Sequence, residues 1–202
     1  MLDKNIPYCN IIMKYIGPAI NSEPSIDIKG YHYSTYCNDD NKRWAQMEVD
    51  NNDFDTYSNA YSYFNNKYLA KEEKLKKSFI GIRNDNDYLV GSIMCWNDIK
   101  NNHLVNSLHW LIVDPQYQEL GIGKKLVDAL LFYASKNQLF PIYLHSQPWS
   151  YKAIGIYSSK GFKITKSDTF KNYSNDYDIA IKILENYMPK EKWHKLINES
   201  IE

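Results

Sequence analysis

The residues with the clearest chemical potential run from Val113 to Lys124, as Val113-Asp114-Pro115-Gln116-Tyr117-Gln118-Glu119-Leu120-Gly121-Ile122-Gly123-Lys124. An apolar strand enters this stretch and an amphipathic helix leaves it. Gly121 and Gly123 carry no side chain, so a ligand can approach the backbone closely, and the first N–H groups of the following helix have no intrahelical partner. Those donors, with the positive end of the helix dipole, favour an anionic group such as a diphosphate. Lys124 and Lys125 add positive charge at the same end. A Gly-x-Gly turn also serves backbone geometry alone, so the pair by itself names no ligand. The loop lacks the Gly-Lys-Ser/Thr ending of a P-loop, and no later Asp or Glu is spaced as a dinucleotide fold requires.

The elements that must position this loop are legible on both sides of it. Leu108, Trp110 and Ile112 lie in an apolar run of strand length that Asp114-Pro115 stops, and Leu126, Val127, Leu130, Leu131 and Ala134 recur with helical spacing. Upstream, residues 8–16 and 31–36 read as strands. Phe54, Tyr57, Ala60, Tyr61, Phe64, Tyr68 and Leu69 are spaced by threes and fours and predict an amphipathic helix or helix pair over 54–77. Residues 78–83 and 88–96 read as two strands joined by the polar cluster Asn84-Asp85-Asn86-Asp87, and 104–113 follows as the next strand of an antiparallel meander. Downstream, Pro141-Ile142-Tyr143-Leu144-His145 must lie parallel to the 108–113 strand, because a helical crossover joins the two. A helix over 152–159 ends at Gly161. Residues 162–165 and 177–183 are expected to form a hairpin with a long polar connection, and Pro189 onward a terminal helix.

Composition narrows the class. At 202 residues the chain can bury a sizeable core, and one domain over 1–202 fits better than two, with 1–50 as an extension and 187–202 as a tail or short helix. The 24 basic and 24 acidic residues balance, which gives no electrostatic case for nucleic acid or an anionic membrane surface. Three cysteines, Cys9, Cys37 and Cys95, are odd in number and lack Cys-x-x-Cys spacing, which argues against a disulfide framework and a metal site. The N-terminus lacks the basic-then-apolar order of a signal peptide, and no long uncharged apolar run occurs, so a cytoplasmic protein is expected.

Gln118-x-x-Gly121-x-Gly123 after a Val-x-Pro strand end resembles the acyl-CoA signature of the GNAT superfamily of N-acetyltransferases. Ser150-Tyr151-Lys152-Ala153-Ile154-Gly155-Ile156-Tyr157-Ser158-Ser159-Lys160-Gly161-Phe162 resembles that family's Asn-x-x-Ala-x-x-Leu-Tyr-x-x-x-Gly-Phe helix, with Ser150 in place of the common Asn. The two motifs stand in the family's order and cover about 105–165. The resemblance implies an α/β (α+β) fold: a mixed, mostly antiparallel twisted sheet with splayed central parallel strands and flanking helices. It implies acetyl-CoA as acyl-donor cosubstrate, with no metal. The pyrophosphate would lie on Gln118, Glu119, Leu120, Gly121, Ile122, Gly123 and Lys124, and the pantetheine along Leu111, Ile112 and Val113, with Ser150 also at the cofactor.

Acetyl transfer to an amine needs the amine neutral, the oxyanion stabilised by donors and the departing thiolate protonated. By the resemblance Tyr157 is the candidate acid and His109 the candidate base, since His109 matches a strand histidine of the arylalkylamine branch and an unperturbed imidazole titrates at about 6.5. A hydrogen-bonded, half-buried structural histidine is the competing reading. Strand alternation would place His109, Leu111 and Val113 on one face and Trp110 and Ile112 on the other. Glu48 and Asp50 could bind a cationic amine or act as base, although solvated or helix-capping carboxylates are the commoner case. His145 could face the cofactor cleft but reads better as a satisfied structural histidine. Trp44, Phe54, Tyr57, Tyr61, Tyr63, Phe64 and Tyr68 could wall an acceptor pocket, and at helical spacing such a run is more often core.

Three functions stay open. The first is direct acetyl transfer from acetyl-CoA to a small primary amine within a ternary complex; the second is modification of a protein or peptide amine; the third is a catalytically silent acyl-CoA-binding module. A homodimer is compatible with each.

Overall fold

A computed structural model describes residues 2–202; Met1, the first residue of the expected 1–202 domain, lies outside the described residues. In chain order the elements are β1 Ile11–Tyr15, β2 Tyr31–Ser34, α1 Asp40–Asp50, α2 Tyr57–Lys67, α3 Glu72–Ser78, β3 Phe79–Asn84, β4 Leu89–Lys100 and β5 His103–Val113. There follow α4 Ile122–Lys136, β6 Ile142–Ser146, α5 Tyr151–Ser159, β7 Lys163–Ile164, α6 Tyr177–Glu185 and α7 Lys190–Asn198, with short 3-10 turns at Leu69–Lys71, Pro115–Tyr117 and Pro148–Ser150. The strands are mixed and mostly antiparallel, and the helices flank them.

The chain divides into two compact units, and β4, β5 and α4 contribute residues to each. The first unit comprises Asn21–Cys95 and His109–Tyr133 together with Leu2. Its strands follow the order β2, β3, β4, β5, with β2 antiparallel to β3 and β3 antiparallel to β4. Helix α1 was not foreseen as a helix, and its position rests on a buried ion pair. Arg83 on β3 donates from Nη2 to both carboxylate oxygens of Asp40, at 2.6 and 2.7 Å, in the first turn of α1. Helix α2 begins at Thr56, whose hydroxyl accepts from the Asn59 N–H at 3.2 Å, as an N-cap should. In α4 the apolar positions Ile122, Leu126, Val127, Leu130 and Leu131 are all buried, so the period that predicted the helix is the stripe that packs it.

The second unit comprises Asp3–Ile20, Trp96–Leu108 and Ala134–Glu202. Its strands follow the order β5, β6, β1, β7. Strands β5 and β6 are parallel, as the crossover requires, through two pairs, Asn106↔Ile142 and Ser107↔Tyr143. Strand β1 pairs antiparallel with both β6 and β7, so residues 11–15 of the expected N-terminal extension are an integral strand. The hairpin tip between β4 and β5 has Asn101 and Asn102 at φ 48° and 63°, the two positive values a type I′ turn needs and asparagine tolerates.

One expected strand is a helix. Residues 177–183 do not pair with 162–165; they open α6, because Tyr177, Ala180 and Leu184 recur at intervals of three and four and bury one stripe. The short β7 pairs with β1 instead, and Thr165 bridges to Ile201. The three cysteines are free thiols, with Cys9 and Cys95 buried and Cys37 exposed. Among the described residues no helix is long and apolar enough to cross a membrane, and no group of three or more His, Cys, Asp or Glu could hold a metal ion.

Candidate active site

Strand β5 stops where Asp114 folds back on the chain. Its carboxylate accepts from the Gln116 N–H at 2.8 Å and pairs with Arg43 from α1, and its own N–H donates to Val90 O at 2.9 Å. After the 3-10 turn the backbone enters the left-handed region twice, at Glu119 (φ 70°) and Gly121 (φ 88°), before α4 begins at Ile122. Glycine at 121 is therefore a backbone requirement. A Cβ built there would meet nothing within 4 Å, so the space above Gly121 is open. The N–H groups of Lys124 and Lys125 both donate to Gly121 O, at 3.0 and 3.2 Å, and those of residues 120–123 precede them at the helix start. Open space over a glycine, beside helix-start donors, fits a diphosphate. Lys124 is exposed at this end. Lys125 is not held for a phosphate: its ammonium donates to Ser25 O at 3.0 Å and Asp27 Oδ2 at 2.9 Å.

Gln118 and the end of β5 are braced by a residue the sequence did not single out. Asn51, at the C-cap of α1, donates from Nδ2 to Val113 O at 3.1 Å and accepts at Oδ1 from Gln118 Nε2 at 2.8 Å. Gln118 Nε2 also donates to Val113 O at 3.2 Å. The two side chains thus both donate to the Val113 carbonyl and tie the end of β5 to the loop. Leu111 and Ile112 precede it on β5, half-buried and buried respectively.

The simple alternation expected along β5 does not hold. Trp110 has φ 51° inside the strand, and Ser107, Leu108 and His109 are consecutively buried. A left-handed tryptophan in a strand is a local strain that its surroundings must hold. Those surroundings are Trp44, Phe54 and Tyr63, whose ring centroids lie 5.4, 5.6 and 5.5 Å from that of Trp110. The three also lie 5.5 to 6.3 Å from one another. Four rings all in mutual contact are a packed cluster, not an open cage. Trp44 is fully buried, whereas Phe54, Tyr63 and Trp110 keep part of their surface accessible. Tyr57 and Tyr61 stack on each other at 5.8 Å apart from this cluster, and Phe64 packs on Trp44 at 5.0 Å.

His109 is 9% exposed, and its Nδ1 lies 2.7 Å from the hydroxyl of Tyr68, itself fully buried at the C-cap of α2. Glu48 is 1% exposed, so the expectation of a solvated carboxylate fails for it; it sits one turn after Trp44 on α1. Asp50 meets that expectation, accepting from Gln46 Nε2 at 2.8 Å on the helix surface.

The second unit carries the other candidates. Tyr157 lies near the end of α5, where Lys160 is the C-cap and Gly161 follows at φ 96°. The Phe162 N–H donates to Tyr157 O at 3.0 Å, the Gly161 N–H to Ser158 O at 3.2 Å, and the Tyr157 and Phe162 rings pack at 5.8 Å. This is a Schellman cap with its apolar contact, and it explains physically why tyrosine, glycine and phenylalanine occur at this spacing. Burial pushes the Tyr157 phenol well above its ordinary pKa, so it stays protonated at neutral pH. Ser150 precedes α5, and its hydroxyl accepts from Gln147 Nε2 at 3.3 Å. His145 on β6 bonds through Nε2 to Asn10 Oδ1 at 2.9 Å and stacks on Tyr173 at 3.9 Å. Burial, with Lys171 nearby, lowers its pKa to about 4 and keeps the ring neutral.

Fold and loop together define a mixed α/β protein whose strand β5 leads through a left-handed glycine into helix α4. Residues 39–162 match the sequence profile of the Acetyltransferase (GNAT) family, and the chain belongs to that family. It is similar to zebrafish (Danio rerio) N-alpha-acetyltransferase 50, at 36% identity over 89 residues covering 44% of this chain and 52% of that protein. The chain thus matches about half the length of this curated relative. Among solved structures, a GNAT-family acetyltransferase from Colwellia psychrerythraea superposes with a TM-score of 0.57 at 14% identity, over 77% of this chain and 52% of its own. PH1933 from Pyrococcus horikoshii OT3 gives 0.56 at 20% identity, over 71% and 94%. Arabidopsis thaliana Naa50, bound to the bisubstrate analogue CoA-Ac-MVNAL, gives 0.53 at 25% identity, over 71% and 89%. The first two bear on the fold alone.

Proposed function

We propose that this chain transfers an acetyl group from acetyl-CoA to a primary amine, by direct attack in a ternary complex. The observation that carries the donor half is the open, left-handed Gly121 at the start of α4, a backbone cradle for the cofactor's pyrophosphate. Gln118 to Lys124 form that cradle, with Gln118 acting through its backbone while its side chain braces the loop. In this reading His109 is the base for the attacking amine and Tyr157 the proton donor to the departing thiolate, roles that rest on the positions of the two residues in the family-like motifs.

For the acceptor, the partly accessible rings of Trp110, Phe54 and Tyr63, with Trp110 next to His109 in the chain, offer an apolar surface that suits an amine attached to a compact apolar group. A small amine of that kind is the first reading. A second has its own support: a relative named for N-alpha-acetylation, and a neighbour that binds an analogue in which a peptide beginning with Met is joined to CoA. Release of free thiol from acetyl-CoA tests both, over a panel of small alkyl and arylalkyl amines and short peptides with apolar or acidic first residues. Turnover of apolar small amines is the expected result. Turnover of peptides alone moves the acceptor to the second reading, and tight CoA binding without turnover on any amine overturns the catalytic reading.

A further inference from the structure

We infer that Asn51 is a positioning residue that couples the diphosphate loop to the aromatic wall around Trp110, so that CoA bound over Gly121 is felt on the acceptor side through one side-chain amide. This rests on the reading of Gln118 to Lys124 as the cofactor cradle. Asn51 is 5% exposed, at the C-cap of α1. Its Nδ2 donates to Met47 O at 2.9 Å and to Val113 O at 3.1 Å, and its Oδ1 accepts from Gln118 Nε2 at 2.8 Å. Gln118 Nε2 donates to Val113 O as well, at 3.2 Å.

The partners fix the direction of every one of these bonds. A backbone carbonyl only accepts, so the side of Asn51 that meets Met47 O and Val113 O must be its NH2 group, and its oxygen must then meet a donor. Gln118 supplies that donor from an NH2 group that already lies on a carbonyl. Turning either amide over would set an oxygen against the Val113 carbonyl. Each NH2 group has two hydrogens, and the network uses all of them, so the two side chains hold one arrangement.

On one side of Asn51 lies the cofactor loop, since Val113 ends β5 and Gln118 stands three residues before Gly121. On the other side the chain is stiff. The Asn52 N–H donates to Val49 O at 2.9 Å and the Asp53 N–H to Glu48 O at 2.8 Å, with Asn52 held at φ 64°. Phe54 follows at once, and its ring centroid lies 5.9 Å from that of Trp44 and 5.6 Å from that of Trp110. A shift of Gln118 is therefore carried by Asn51 and a bonded turn to the rings that wall the acceptor, through a contiguous chain of hydrogen bonds and packing contacts. Such coupling is reciprocal: a loop held by CoA favours the acceptor by the same factor that a bound acceptor favours CoA.

The test uses the full chain with CoA as the probe. Calorimetry follows CoA binding to the wild type, Asn51→Asp, Gln118→Met and the double variant, and NMR follows the indole N–H of Trp44, which is fully buried and so touches no ligand. Asn51→Asp keeps the shape but sets an oxygen against Met47 O and Val113 O. Gln118→Met keeps the length and removes both donors from a half-buried position, so it tests the network even if Asn51→Asp does not fold. Each single variant is expected to weaken CoA binding roughly 10-fold, the scale of one lost hydrogen bond. The double variant should be no weaker than the weaker single, because both changes break one network. CoA should shift the Trp44 signal in the wild type and leave it in place in Gln118→Met at saturating CoA. Wild-type CoA affinity in Gln118→Met, fold-changes that multiply in the double variant, or a Trp44 shift that persists in Gln118→Met overturns the inference. Absence of CoA binding by the wild type instead removes the cradle reading itself, and the inference with it.

Discussion

Gly121→Ala separates what the backbone of the diphosphate loop needs from what its ligand needs. The residue sits at φ 88°, and an added Cβ would have no neighbour within 4 Å, so the substitution has no steric cost in the free protein. What remains is holding an L-residue in the left-handed region, roughly 1–2 kcal/mol. In a chain of this size that lowers Tm by a few degrees, at about 2–4 °C per kcal/mol. The effect on CoA should be larger, because the methyl occupies the open space where the pyrophosphate would approach the N–H groups. Losing even one hydrogen bond to a charged group is worth about 1.5–3 kcal/mol, or roughly 10- to 150-fold in affinity. Thermal unfolding with and without CoA reads both quantities at once: at a ligand concentration of about 100 Kd the wild type should gain about 2.7 kcal/mol, and the variant most of that less. Gly121→Asn is the control, since asparagine tolerates this backbone; it should recover stability and still fail to bind. Wild-type CoA stabilisation in both variants would refute the cradle.

Three further outcomes are expected. Tyr157→Phe keeps the ring that packs on Phe162, so acetyl-CoA affinity measured by calorimetry should hold while kcat falls about 100-fold or more, the scale of general acid catalysis; a parallel loss of affinity contradicts that role. His145 is half-buried and held neutral with a pKa of about 4, and the unfolded chain binds its proton at about 6.5, so stability is fully present above that value and declines as pH falls toward 4, by an amount on the order of 3 kcal/mol. Denaturant titrations across that window should flatten in His145→Gln, and an unchanged slope removes the group from the acid response. Asp40→Ala strands the buried Arg83 guanidinium and should cost about 3–5 kcal/mol by urea unfolding, while a loss under 1 kcal/mol would show that the pair does not anchor α1.

Local rules made the strand, loop and helix around Gly121 legible, because apolar period, a stop at Asp114-Pro115 and glycine each act over a few residues. The same holds for the α5 cap, where Tyr157, Gly161 and Phe162 satisfy a single local motif. Reading 177–183 as a strand failed because a short apolar run serves either element, and the burial of Tyr177, Ala180 and Leu184 on one stripe settles it. Glu48 failed as a solvated carboxylate for a related reason: burial depends on what packs over a helix, which its own sequence does not state.

By itself the sequence determined the glycine-led helix start and the capped helix with its tyrosine, since both are built from neighbours in the chain. Only the tertiary structure decided what those elements meet. It brought Asn51 to the Val113 carbonyl and Tyr68 to His109, across 62 and 41 positions, and it closed three aromatic rings around the left-handed Trp110. Such pairings are selected by packing and by the need to satisfy buried polar groups, and both act through space, where spacing along the chain carries no information.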